Sequence, residues 1–274
     1  MQDDAPRPVP VTPSPWAEWR AATPARIALG RAGDALPTEE LLRFGWAHAA
    51  ARDAIHAQPD LDALEATLAA QGWPVLRVSS QAGDRTAFLR RPDLGRRLLP
   101  DHARQLAALQ GAQDAGCDLC LVLADGLSAL AMERQAPPLL AALRPLLPTG
   151  LRLAPLLLAT QARVALADDI GQQLRARLSV ILIGERPGLS APDSLGIYLT
   201  HGPRVGNTDA QRNCISNVRP EGLAPPAAAA RLAWLIRAAL GRGLSGVALK
   251  DESEQAVLGD GADSRHDPIQ GDTA

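Results

Sequence analysis

SVILIGERPGLSAPDSLGIYLTHGPRVGNTDAQRNCISNVR, residues 179–219, is the stretch on which both fold and function turn. It opens on Val180, Ile181, Leu182 and Ile183, an apolar run of strand length closed by Gly184. Such a run suits a strand buried on both faces. Glu185, Arg186, Pro187, Gly188 and Ser190 follow where that strand should end. In open parallel sheets this carboxyl edge is where ligands sit. A second short strand, Ile197 to Thr200, leads into a loop rich in Gly, Asn, Asp and Arg around Cys214. A packed core has no use for so many polar residues in series, so the stretch reads as the lining of a ligand site.

Outward from it, strand and helix patterns alternate. CDLCLVLA (Cys117–Ala124) predicts a strand, followed by a helical region reaching about Leu147; Leu151–Ala159 predicts another strand and Asp168–Arg177 a helix. PPAAAARLAWLIRAAL (225–240) predicts a long helix with proline at its start, and Gly246–Lys250 a last short strand. Upstream, Val75–Val78 and Thr86–Leu89 around QAGDR predict a hairpin, with a helix from Asp93 to about Leu109. The fold class expected is α/β, a Rossmann-like, mostly parallel sheet with helices on both faces. A small helical N-terminal domain precedes it: Thr38 caps a helix through His56, and Asp60 begins a second, Leu61–Ala70, stopped by Gly72. The expected divisions are a disordered proline-rich tail (1–23), the helical domain (24–74), the α/β domain (75–250) and a disordered acidic tail (251–274). Trp16 and Trp19 share one face of a helical turn and either dock on this chain's own core or meet a partner.

The near balance of 28 Lys+Arg against 30 Asp+Glu argues against nucleic acid or an anionic membrane as partner. Three cysteines without a spaced framework fit a reducing cytoplasm. The first residues, MQDDAPRPVPVTPSP, lack the basic start and apolar core of a signal peptide, and no stretch is long enough to span a bilayer.

Candidate chemistry thins quickly. Cys117 and Cys120 form C-x-x-C inside a strand pattern, where core thiols are the better reading. His48 and His56 lack a ligand set, and His102, His201 and His266 do not cluster with cysteine at zinc spacing. Ser128 and Ser190 lack the G-x-S-x-G elbow, which leaves a hydrolase little support. Neither a G-x-G-x-x-G nor a Walker pattern is present. GLSA occurs at 126–129 and again at 188–191, each after a buried strand and a charged residue; the repeat is either a pair of backbone-donor turns or coincidence. Arg90, Arg91, Arg96 and Arg97 in RRPDLGRR make the densest basic cluster: a solvated face first, with an anion site or subunit contact as alternatives. Glu185 at the mouth of a buried strand must stay hydrated, pair with Arg186 or Arg212, or accept ligand hydrogen bonds. Cys214 is the one thiol placed like a contact residue.

RPDLGRR, DGLSA, IGERPGLSAPDSLGIY and RNCISN, in this order and spacing, closely resemble the small (light) subunit of ethanolamine ammonia-lyase over about residues 24–250. The resemblance implies a helical N-terminal domain before a Rossmann-like domain, and a large (heavy) subunit as partner, shaped as a (β/α)₈ barrel. It implies adenosylcobalamin held between the two, and radical deamination of ethanolamine to acetaldehyde and ammonia. By motif alignment it places cofactor contacts on Val164, Glu185 and Cys214, with no catalytic residue and no metal ligand in this chain. Val164 carries no chemical signal of its own. D-x-H-x-x-G is absent, which implies that the cofactor's own base stays on cobalt. Some members carry an extension thought to direct them to a bacterial microcompartment, whereas this start shows no amphipathic targeting helix. Two other readings stay open at this point: a nucleotide- or phosphate-binding module, and a purely structural interaction subunit.

Overall fold

A computed structural model of the chain describes residues 11–111 and 116–253. The chain forms helices α1 (Thr38–His56) and α2 (Leu61–Ala70), strand β1 (Val75–Ser79), helices α3 (Arg85–Arg90) and α4 (Pro100–Gly111), and strand β2 (Leu119–Ala124). Then follow α5 (Ala129–Leu143), β3 (Leu156–Thr160), α6 (Leu166–Gln173), β4 (Leu178–Gly184), β5 (Leu195–His201), β6 (Arg212–Val218) and α7 (Pro225–Arg242). One six-stranded sheet runs β1-β3-β2-β4-β5-β6. The pairs β1/β3, β3/β2 and β2/β4 are parallel, whereas β4/β5 and β5/β6 are antiparallel.

The apolar run of β2 is buried at every position because helices cover both faces of the sheet. Leu119, Leu121 and Leu123 pack with Leu139 and Leu140 of α5 and Leu232 and Ile236 of α7. Cys120, Val122 and Ala124 pack on the other face with Leu106 of α4 and Leu166 and Ile170 of α6. Leu64 and Leu68 of α2 join the first of these cores. The fold class is therefore mixed α/β with helices on both faces, as expected.

Several local expectations are overturned. The expected second hairpin arm is helix α3, because Asp84 caps it by accepting from Ala87 N at 2.8 Å. The helix expected from Asp93 starts only at Pro100, after a 3-10 turn at Leu94–Arg96. Gly246–Ala248 is a 3-10 turn and not a strand, and the loop expected around Cys214 is edge strand β6. Trp16 and Trp19 pack edge to face at 6.3 Å and stay exposed. Residues 1–10 and 254–274 of the two expected tails, with His266, lie outside the described residues.

Candidate functional site at the carboxyl edge

The connection after β2 leaves by one face of the sheet, through α5, and that after β3 by the other, through α6. Adjacent strands whose connections diverge leave a crevice beyond their carboxyl ends. A cleft of about 400 Å³ sits there, lined by Gly126, Ala162, Arg163, Val164, Glu185 and Tyr198 among others. Val164 and Glu185, far apart in sequence, thus share one cavity. Cys214 of β6 is the cross-strand partner of Tyr198 on β5, which places its exposed thiol at the rim.

The loop carrying Val164 is held from below. Asp125, at the end of β2 and 2 % exposed, accepts from Gln161 N at 2.9 Å and Ala162 N at 3.1 Å. Arg85 stands 3.7 Å from the same carboxylate and donates to Gly126 O at 2.8 Å. Burial pushes the Asp125 carboxyl above its ordinary value, against the pull of those backbone donors and Arg85. From sequence Asp125 was only the charged residue before GLSA; a lone carboxylate directly after an all-apolar strand was the available signal.

Glu185 pairs with neither Arg186 nor Arg212 among the described residues. Its carboxylate accepts from Ser194 Oγ at 2.5 Å and from Asn217 N at 3.3 Å. Gly196 makes room for it: a Cβ there would lie 3.0 Å from Oε1. Arg212 is instead committed to Asp168 and Asp209. Tyr198 shares a hydrogen bond with the Cys214 thiol, and its hydroxyl is pushed up to about 12 by burial, with Cys214 and Glu185 adding to the rise. Tyr198 and Arg163 line the candidate cleft and Ser194 and Asn217 hold Glu185; of these only Asn217, in the polar run beside Cys214, carries a signal in the sequence.

Other candidates resolve into structure. Ser128 caps α5 and donates to Pro192 O at 2.8 Å, and the first GLSA turn is consumed in that role. In the second, Gly188 and Ala191 satisfy each other's backbone groups. His102 accepts from Ser79 N at 3.0 Å, and His48 stacks on Phe44. Among the described residues no cluster of His, Cys, Asp or Glu could hold a metal ion, and no helix is long and apolar enough to cross a membrane. The RPDLGRR turn is latched to the site, since Arg163 N donates to Gly95 O at 2.8 Å. Arg96 and Arg97 line a second cleft of about 580 Å³ that adjoins the first through Arg163 and Val164.

The three thiols separate by environment. Burial raises Cys117 to about 11 and Cys120 well above its ordinary value, while Cys214 rises through partial desolvation but stays exposed. With a thiol reagent at mildly alkaline pH, Cys214 is expected to react in the native protein and Cys117 and Cys120 only after unfolding. Equal native reactivity of all three would contradict the burial described.

A family model for the ethanolamine ammonia-lyase light chain matches residues 13–250. The chain is 57% identical over 256 residues to the ethanolamine ammonia-lyase small subunit of Azotobacter vinelandii, covering 93% of this chain and 94% of that one. It is 54% identical over 258 residues to the small subunit of Ralstonia nicotianae, covering 94% and 95%. It is 52% identical over 253 residues to that of Xanthomonas campestris pv. campestris, covering 91% and 93%. The match spans both helical and α/β parts and the whole candidate site, and on this ground the chain belongs to the ethanolamine ammonia-lyase light-chain family and is a subunit of an ammonia-lyase.

Proposed function

We propose that this chain holds one edge of adenosylcobalamin against a larger subunit, in a two-chain enzyme that converts ethanolamine to acetaldehyde and ammonia. The observation that carries the reading is the convergence of Val164, Glu185 and the Tyr198–Cys214 pair at one carboxyl-edge cleft. The donor set suits the group. A corrin is rimmed with amides, and the cleft offers a fixed carboxylate acceptor, a phenol, a thiol and a backbone loop rather than a clamp of ion pairs. Among the described residues, buried Arg163 Nε and Arg85 Nη2 have no hydrogen-bond partner, as expected beside a site completed by a ligand. A cleft of about 400 Å³ takes only the edge of so large a cofactor, so a second chain must cover the rest.

The radical chemistry would be supplied by adenosylcobalamin when bound. This chain's part is to bind, orient and exclude water. Val164, on a loop pinned by Asp125, presents backbone groups; Glu185, pre-oriented by Ser194 and Asn217, accepts from a corrin amide; Cys214 contacts the rim. Leu42 (69 % exposed) and Trp46 (80 %), one turn apart on α1, form an apolar surface that a larger subunit would cover, and Trp16 (63 %) is a further exposed apolar side chain of the N-terminal segment. We place the enzyme in the cytoplasm, a reading supported by three free cysteines, with microcompartment association following only from the family.

Glu185→Gln keeps the shape but weakens the charge-assisted acceptor. Two-chain assembly should persist while cobalamin affinity falls about tenfold, measured by equilibrium dialysis on the complex. Unchanged affinity would make Glu185 scaffold and remove the main support for the site.

A further inference from the structure

The candidate site carries more positive charge than its own carboxylates balance. Arg163 lines both adjoining clefts, Arg96 the second and Arg186 the first. Among the described residues none of these three forms an ion pair, whereas neighbouring Arg91, Arg97 and Arg212 face Asp93, Asp169 and Asp168. Burial, and then the proximity of Arg85, Arg96 and Arg186, push the Arg163 guanidinium down from its ordinary value, with Asp125 alone opposing. That carboxylate is already engaged by Gln161 N, Ala162 N and Arg85. Arg85, Arg96 and Arg186 therefore stand near Arg163, while the carboxylate beside it, Asp125, is already engaged.

Arg163 is also built into place. Its guanidinium lies 4.2 Å over the Phe88 ring and donates from Nη2 to Phe88 O at 3.2 Å. Gly95 leaves it room, since a Cβ there would come within 2.8 Å of Arg163 Cγ. Its Nε, like Arg85 Nη2, is buried and has no hydrogen-bond partner among the described residues. Gathering like charges at a partly desolvated site is unfavourable unless an anion completes it. The corrin amides are neutral and leave the surplus unanswered. A phosphodiester is a monoanion across the neutral pH range, and its two free oxygens match the fork of a guanidinium.

We infer that Arg96, Arg163 and Arg186 form a phosphate subsite at the seam of the two clefts, which takes the phosphodiester of the cobalamin nucleotide loop. The inference rests on the cofactor reading above and names the part of the ligand that these residues hold. It assigns a role to RPDLGRR, whose Arg96 reaches the seam because the turn is tied to the Val164 loop.

The test uses the assembled two-chain complex and three probes: cobalamin, cobinamide, which lacks the nucleotide loop and its phosphate, and cobinamide phosphate, which restores the phosphate without the base. Arg96→Gln combined with Arg186→Gln alters exposed side chains that make no described ion pair; Arg163→Gln is the second variant. In both, cobalamin and cobinamide phosphate should each lose about tenfold or more in affinity, while cobinamide changes by less than about twofold. The wild-type preference for cobinamide phosphate over cobinamide should shrink as salt rises. Equal losses for cobinamide and cobalamin, or no loss for cobalamin, would overturn the subsite. Inorganic phosphate that binds the wild type but not the variants, with cobalamin unaffected, would make it a free-anion site and likewise overturn the assignment. A wild-type complex that binds none of the three corrinoids would overturn the cofactor reading itself and this inference with it.

Discussion

Gly184→Ala is expected to cost about 3 kcal/mol or more of folding stability, at or beyond the upper end of the usual overpacking range. A Cβ at Gly184 would stand 2.1 Å from Ser128 O, 2.5 Å from Asp125 O and 2.7 Å from Ser128 C. All three are backbone atoms, so no side-chain rotation relieves the clash. The end of β4 and the β2–α5 turn are laced together, with Leu127 N donating to Gly184 O at 2.9 Å. Parting them would also displace Glu185 and Gly126 on the wall of the cleft. Urea unfolding should show a lowered midpoint at unchanged slope. Gly45→Ala, in the middle of α1, where the added carbon meets nothing within 4 Å among the described residues apart from its own chain neighbours and helix backbone, should instead stabilise by about 0.5–1 kcal/mol. Equal effects at the two positions would mean that the close approach at Gly184 does not govern its identity.

Arg212→Ala should cost about 3–5 kcal/mol near neutral pH, because it strands a buried carboxylate. Asp168 is 1 % exposed and Arg212 9 % exposed, and they pair directly between α6 and β6. Burial already raises the Asp168 carboxyl above its ordinary value, with Arg212 and Thr200 pulling it down. Without Arg212 the folded-state value rises further above the unfolded one. The folded variant then holds a proton that the unfolded chain has released, and its stability falls as pH rises through that window. The deficit against wild type should therefore be smaller near about pH 5 than near about pH 8. A pH-independent deficit would exclude an unpaired Asp168 as the cause. Arg212→Met combined with Asp168→Leu removes both charges and should be much milder than Arg212→Ala alone.

The two positions show how scaffold and candidate site depend on each other. Asp168–Arg212 ties α6, which follows the Val164 loop, to the strand that carries Cys214. Gly184 brings the residue before Glu185 against the turn that follows Asp125. Each contact positions one side of the cleft without itself supplying a ligand group.

Within the sequence, the strands buried on both faces were legible. LCLVLA and VILIG are apolar throughout because helices cover both sides, and that pattern survives without knowledge of partners. The long helix beginning at Pro225 was legible for a local reason, the proline at its start. The polar residues after β4 mark a candidate site because a ligand edge needs chemistry that a core does not.

Tertiary structure alone decided the rest. Thr86–Leu89 reads equally well as strand or helix in so short a run, and the cap from Asp84 together with burial of Phe88 settles it as helix. Strand order, with β3 between β1 and β2, depends on which helix covers which face, and no local pattern encodes it. Asp125 and Arg163 look like ordinary surface charges in sequence. They become the floor and seam of a cleft only when strand ends meet, because burial and charge balance belong to the assembled neighbourhood and not to any one segment of chain.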